Sequence, residues 1–222
     1  MRVAALIPFW ESYETNQFRI KKIAGRFLMS YAVEKLNSVN LINDIYVYSS
    51  SKRVSNYIEP NLKYTYLNRS KSLDNDKASI ESIISSFLKE VEVEVDVVVL
   101  LHPTSPFLKV DSITKALNLV INGECDSSFS AVKYSKFAWL NSKPINYDLN
   151  NDVPSLKSIN PIYFEQSSLY VFKTLQFLKN NHRLSGDIKL TEINRLEGLE
   201  IRNKVDFELA ELIINSGMSE VI

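Results

Sequence analysis

"VVVLLHPTSPFL", residues 97–108, decides the fold. Its first five residues are apolar without a break, the pattern of a strand covered on both faces and hence of a central strand in a parallel sheet. Two prolines then bracket Thr104 and Ser105, a stiff turn that presents two hydroxyls and backbone amides just past the strand's carboxyl end. Such a turn is either a rigid strand-to-helix connection or the lip of a binding site, because ligands of open α/β sheets sit beyond the carboxyl ends of the strands.

On either side of this strand, short apolar runs alternate with amphipathic segments. "RVAALIP" (2–8), "DIYVYSS" (44–50) and "KYTYLN" (63–68) read as strands, with a short helix near "RVSNYI" (53–58). "FLMSYAVEKLNSV" (27–39) sets Phe27, Tyr31, Ala32 or Val33, Leu36 and Val39 at helical spacing. "DKASIESIISSFLKEV" (76–91) repeats an apolar face at Ile80, Ile83 or Ile84, Phe87 and Leu88, with Asp76 as its expected cap. After the central strand come a helix from about Asp111, a strand "DSSFSAV" (126–132), and then "SSLYVFK", "TLQFLKNN", "IKLTEI", "GLEI" and the helix "DFELAELII". The alternation predicts one α/β domain over residues 1–222, a doubly wound, mostly parallel sheet. Residues 133–162 lapse into aromatic, Asn- and Pro-punctuated sequence and read as an inserted arm or hairpin.

Composition narrows the function classes. Lys plus Arg and Asp plus Glu are both 26, so no global field steers the chain to nucleic acid or to an anionic membrane. No apolar run reaches the length of a membrane span, and the N-terminal run is too short for a signal peptide, so the expectation is a soluble, cytoplasmic protein. The lone Cys125 excludes an internal disulfide and reads as a buried structural thiol. Glycine is scarce, five in 222 residues, and Gly25 is the only one before Gly123. Neither glycine-rich phosphate loop, the Walker type or the dinucleotide type, is therefore present.

At "LLHPTSPFL" the chain resembles the acylneuraminate cytidylyltransferases, whose corresponding stretch is similar to L-L-Q-P-T-S-P-L-R. Further stretches match in order. "IAGRFLMSYAVEKL" resembles the family's G-K-P-L-I-x-Y-A helix entry, with Gly25 and Arg26 at the Gly-Lys pair. "RSKSLDNDKASI" keeps Arg69, Leu73, Asp76, Ala78 and Ser79 of R-P-x-x-L-A-x-D-x-A-S, and "CDSSFSAV" matches A-D-S-V-x-S-V through Asp126, Ser127 and Ser130. "YFEQSSLYVFK" and "LEIRNKVDFELAE" resemble Y-x-E-N-G-S-I-Y-V-F-K and the closing L-E-I-D-x-x-x-D-L-E-L-A.

The resemblance implies a nucleotide-diphospho-sugar transferase-like, Rossmann-like fold. It implies transfer of CMP from CTP to a sialic-acid-like nonulosonate for surface polysaccharide, with Mg²⁺ as the cation and a homodimer formed through the arm. The site residues it implies are Arg19 and Arg26 for catalysis, and Arg69, Asp76, His102, Thr104, Ser105, Asp126 and Gln166 for substrate. Glu200 is left as metal ligand.

Beside smaller departures from the family at His102 for Gln, Leu108 for Arg and Gln166-Ser167 for Asn-Gly, two stretches depart more widely. Its first loop is like I-P-A-R-G-G-S-K, and here the arginine position is Trp10, the glycines are Glu11 and Ser12, and the lysine is Glu14. Basic residues remain only further along, at Arg19, Lys21, Lys22 and Arg26, either as phosphate ligands or as a solvated face. In the late acidic pair Glu200 keeps one position and the other is Arg202, while Asp206 reads as a helix cap or a spare carboxylate. A chain with these losses at triphosphate and metal is either an altered enzyme or a non-catalytic sugar-binding or partner subunit.

Overall fold

The computed structural model describes residues 1–10, 17–75 and 77–217, with the side chains of Gln17 and Arg19 outside the description. In chain order the elements are β1 (Val3–Phe9), β2 (Lys22–Ile23), β3 (Arg26–Phe27), α1 (Leu28–Asn37), β4 (Asp44–Ser49), β5 (Thr65–Asn68), α2 (Ile80–Glu90) and β6 (Val97–Leu101). Then follow α3 (Val110–Ile121), β7 (Ser127–Tyr134), β8 (Trp139–Leu140), β9 (Lys143–Pro144), β10 (Ile162–Lys173), α4 (Thr174–Asn180), β11 (Ile188–Ile193) and α5 (Lys204–Asn215). Seven strands form one sheet in the order β11-β7-β10-β6-β1-β4-β5. All neighbours run parallel except β10, which is antiparallel to both β6 and β7. The doubly wound, mostly parallel sheet expected from the sequence is present.

The unbroken apolar runs are explained by burial on both faces. Along β1, Val3, Ala5 and Ile7 join a core with Met29, Val33 and Leu36 of α1 and Ile113, Leu117 and Val120 of α3. The alternate residues Ala4 and Leu6 face Ile84 and Phe87 of α2 and Phe177 of α4. Strand β6 divides its side chains the same way, Val97, Val99 and Leu101 on one side and Val98 and Leu100 on the other. Period-2 geometry thus turns a run with no polar residue into two cores at once. A third, smaller core of Ile23, Leu28, Phe107, Ile201 and Ala210 ties α5 to the turn after β6 and to the chain entering α1.

Two local expectations are corrected. The helix α2 starts at Ile80 with Ser79 as its cap, whose Oγ accepts from the Ser82 amide at 3.1 Å. Asp76, the expected cap, lies outside the described residues. "GLEI" is no strand: Gly198 N donates to Asn194 O at 3.1 Å and Leu199 N to Leu196 O at 3.0 Å, so this stretch closes on itself in turns.

Between β7 and β10 the chain makes the small β8-β9 ribbon. Asn146 stitches its base, accepting from Ala138 N at 3.1 Å and donating to the carbonyls of Lys136 and Asn160 at 2.8 Å. Phe137, Trp139, Leu140, Ile145 and Leu149 of this segment are all exposed. Among the described residues no helix is long and apolar enough to cross a membrane.

Candidate functional site

The carboxyl ends of β1, β4, β5 and β6 share one edge of the sheet, and β10, running the other way, begins there. Strand β10 shifts register against β7 between Glu165 and Tyr170, which lets Gln166, Ser167 and Ser168 bulge toward that edge. The bulge is held from beneath, with Ser130 Oγ donating to Gln166 O at 3.1 Å and lying 2.9 Å from Ser168 Oγ. His102 N donates to Ser168 O at 3.2 Å, binding the Pro-Thr-Ser-Pro turn to the bulge. From the other side Ile201 N donates to Thr104 O at 2.8 Å. His102, Thr104, Ser105, Gln166 and Glu200, singled out from the sequence, therefore come from three segments joined by backbone hydrogen bonds.

Ser105 is buried, and its Oγ has no hydrogen-bond partner among the described residues. Beside Gln166 a cavity of about 390 Å³ is walled by Tyr134, Phe137, Ile162 and Phe164.

Beneath the turn sits a lysine that sequence reasoning missed. Lys35 Nζ, from the last turn of α1, donates to the carbonyl of Pro106. Burial pushes its pKa down to about 8 against the opposing pull of Glu197, whose carboxylate takes the Lys109 amide at 3.0 Å and the Ser112 hydroxyl at 2.5 Å. Nothing in "EKLN" signals this, because the carbonyl it meets is 71 residues away.

The sign of the consequence is fixed. Between pH 8 and the ordinary lysine range the unfolded chain still binds the proton that the folded chain has released, so raising pH favours folding there. Denaturant titrations of the wild type and Lys35→Met should show the wild type gaining about 2–3 kcal/mol relative to the variant from pH 8 to 10.5. A pH-independent difference would contradict the buried ammonium.

Arg69, directly after β5, reaches the same edge and is 2% exposed. Its Nη2 donates to Asp74 Oδ1 at 2.5 Å, Ser50 donates to the other oxygen of Asp74, and the buried Nε has no partner among the described residues. Asp74 is the member of this corner that the sequence reading passed over, though it lies only five residues beyond Arg69.

Other predicted residues are placed differently. Arg26 is clamped between two carboxylates, Nη1 to Glu34 at 2.7 Å and Nε and Nη2 to Glu59 at 2.9 and 2.7 Å. The Glu34 hydrogen bond, and then that of Glu59, hold its guanidinium charged far above the ordinary range. Its charge is thus already balanced on the outer side of α1. Asp126 precedes β7 and so lies at the opposite, amino-end edge of the sheet. There it pairs with Lys173 Nζ at 2.8 Å, the interaction that chiefly holds its carboxyl below the usual range, and accepts from Asp187 N at 3.1 Å. It is removed from the site cluster on that ground. Arg19 falls in the short turn Gln17–Ile20 with its side chain outside the described residues. Asp76, Glu11, Ser12 and Glu14 are also outside them, while Trp10 is half-buried just after β1.

The late acidic segment resolves into a pair and a cap. Glu200 Oε2 accepts from Arg202 Nε at 2.8 Å and Nη2 at 2.5 Å. Asp206 accepts from the amides of Arg202 at 2.9 Å and Asn203 at 3.2 Å, completing a capping box with Asn203 at the start of α5. A magnesium ion at a phosphoryl-transfer site is held by one or two carboxylates together with substrate phosphates and water. Here one carboxylate is already paired with a guanidinium and the next is spent on backbone amides. Among the described residues no three His, Cys, Asp or Glu side chains gather at a point. Of the carboxylate oxygens in this segment, Glu200 Oε1 is left without a hydrogen-bond partner among the described residues.

Comparison with known proteins agrees with this fold. A family model described as cytidylyltransferase matches residues 19–201. The chain is 25% identical, over the full length of both proteins, to a CMP-N,N'-diacetyllegionaminic acid synthase from Legionella pneumophila. Among solved structures, CMP:2-keto-3-deoxy-manno-octonic acid synthetase complexed with CTP shares the fold at a TM-score of 0.73 and 14% identity, covering 98% of this chain and 100% of that one. A 4-diphosphocytidyl-2C-methyl-D-erythritol synthase from Anaerococcus prevotii follows at 0.62 and 13%, with 96% of each chain covered. With the motifs in order and the model spanning most of its length, this chain belongs to the cytidylyltransferase family, as a divergent member.

Proposed function

We propose that the protein transfers CMP from CTP to a nonulosonate, a sialic-acid-like sugar acid, releasing pyrophosphate. The observation that carries this reading is the joining of the Pro-Thr-Ser-Pro turn, the β10 bulge and the Glu200–Arg202 segment at the carboxyl edge, the edge on which the buried Arg69 also follows its strand, β5. In the reaction a hydroxyl beside the sugar's carboxylate bonds to the α-phosphorus and gives up its proton to solvent, while the bond to the pyrophosphate oxygen breaks. Positioned cations and amides lower that barrier by meeting the developing charge. Arg69 and the amides of the 102–105 turn would hold phosphate oxygens, and Thr104, Gln166 and His102 would meet sugar hydroxyls. The aromatic-walled cavity beside Gln166 suits the apolar face of a sugar acid. The relative that makes CMP-N,N'-diacetyllegionaminic acid supports the substrate class. The reading extends to a cytoplasmic homodimer paired through the arm, residues 133–162, serving surface polysaccharide synthesis. The exposed aromatics of the arm favour such a pairing.

A second reading, a non-catalytic sugar-binding or partner subunit, is favoured by Trp10, Glu11 and Glu14 in the first loop. A melting scan with CTP, with and without Mg²⁺, separates them at the first step. At 100 times its dissociation constant CTP should add about 2.7 kcal/mol, a rise of roughly 5–10 °C for a chain of this size. A nonulosonate that raises the melting temperature where CTP does not would favour the partner subunit.

A further inference from the structure

In the late loop a cation occupies a place where the resemblance implies a second carboxylate. The Glu200 side chain is 7% exposed, and its Oε1 is buried without a hydrogen-bond partner among the described residues. Its other oxygen is held along the Nε–Nη2 edge of Arg202. The Arg202 side chain is itself 67% exposed, and Nη2 also reaches Ser167 Oγ at 3.4 Å across the gap to the β10 bulge. Its backbone is fixed on both sides, by Ile201 N on Thr104 O and by Arg202 N on Asp206 Oδ2. The guanidinium is therefore moored between Glu200 and the β10 bulge, with Nη1 making no hydrogen bond among the described residues.

Charge decides what such an arrangement can receive. A divalent cation at Glu200 would meet a carboxylate already neutralised and a positive neighbour 2.5 Å from its oxygen, with the other acidic side chain of the loop spent as a helix cap. An anion meets instead the exposed Nη1 end of a guanidinium offset, among the described residues, by one carboxylate, whereas Arg26 is held by two, and the anchored inner edge leaves little side-chain entropy to be lost. Planar guanidinium groups bind phosphate oxygens through paired, charge-assisted hydrogen bonds.

We propose that Arg202, moored on Glu200 and Ser167, is the resident cation of this site and binds phosphate oxygens in place of a divalent metal. Phosphate binding at this edge is then independent of Mg²⁺. The assignment rests on the cytidylyltransferase reading for its nucleotide, though not for its charge, and two probes keep the two apart.

The first probe is inorganic pyrophosphate, titrated calorimetrically into the full chain in EDTA and again in Mg²⁺. The second is CTP under the same two conditions, with Mn²⁺ binding followed by electron paramagnetic resonance as a direct test for metal. The expected result is pyrophosphate affinity in EDTA within threefold of that in Mg²⁺, lost at least tenfold in Arg202→Met and largely regained in Arg202→Lys. Wild type should hold no Mn²⁺ at this loop, and Arg202→Asp, which restores a second carboxylate, should gain a bound ion that Glu200→Gln removes. Circular dichroism and unchanged melting temperatures exclude misfolding of the variants.

Pyrophosphate binding that requires Mg²⁺, or that survives unchanged in Arg202→Met, overturns the proposal. So does Mn²⁺ bound by the wild type and lost in Glu200→Gln. If pyrophosphate binds through Arg202 and CTP does not, the resident cation stands and the nucleotide reading fails. If CTP binds only with metal, the nucleotide reading stands and the resident cation fails.

Discussion

Arg69→Met should lower stability by about 3 kcal/mol, a fall in melting temperature of roughly 6–12 °C, and should abolish nucleotide binding. The first effect follows from the pair. The Arg69 side chain is 1% exposed and Asp74 17%, so removing the guanidinium leaves a largely buried carboxylate whose remaining donor among the described residues is the Ser50 hydroxyl. Breaking such a pair costs more than replacing it, because the desolvated partner stays behind. Arg69→Met combined with Asp74→Leu should therefore recover most of the lost stability. It should not recover CTP binding, since the buried Nε, which lacks a partner among the described residues, is then gone as well. A single variant as stable as wild type would contradict the structural pair, and a double variant that binds CTP normally would contradict Arg69 as a ligand residue.

Trp10→Arg with Glu14→Lys should raise CTP affinity at least tenfold. Trp10 sits half-buried immediately beyond β1, at the edge that carries Arg69 and His102. Glu14 is outside the described residues, and the expectation for it rests on charge alone. A unit charge about 8 Å from a phosphate contributes about 2 kcal/mol at the effective dielectric of a protein surface, and reversing its sign counts twice. Screening by salt reduces this, yet about 1.4 kcal/mol suffices for the tenfold change. Isothermal titration at two ionic strengths checks it, because the gain should shrink as salt rises. Unchanged affinity would mean that the first loop does not face the nucleotide.

Much of this architecture was legible from the sequence because its signals are local. Five consecutive apolar residues can be buried only if both faces of the strand are covered, and β6 is. The Pro-Thr-Ser-Pro turn was legible for the same reason, since two prolines constrain the backbone whatever surrounds them. What escaped depended on partners distant in sequence. Arg26 reads in the sequence as a phosphate ligand, whereas in the fold Glu59, 33 residues on, holds it. Lys35 gave no sign of reaching Pro106.

Asp126 shows a different failure. Its motif matches, but a residue that begins a strand lies at the edge opposite to one that follows a strand, and a motif alone does not separate the two. The cap of α2 shifted from Asp76 to Ser79 because Ser and Asp compete for the same role, and only the first helical hydrogen bond separates them. Arg202 was visible as a sign change, whereas its mooring on Glu200 and Ser167 required the bulge in β10.

Incubation of the purified chain with CTP and N,N'-diacetyllegionaminic acid, with and without Mg²⁺, followed by phosphorus NMR, tests the central claim most directly. A CMP-sugar phosphodiester and pyrophosphate should appear in equal amounts as CTP is consumed. CTP left intact, by a protein that is folded and binds the sugar, would contradict it.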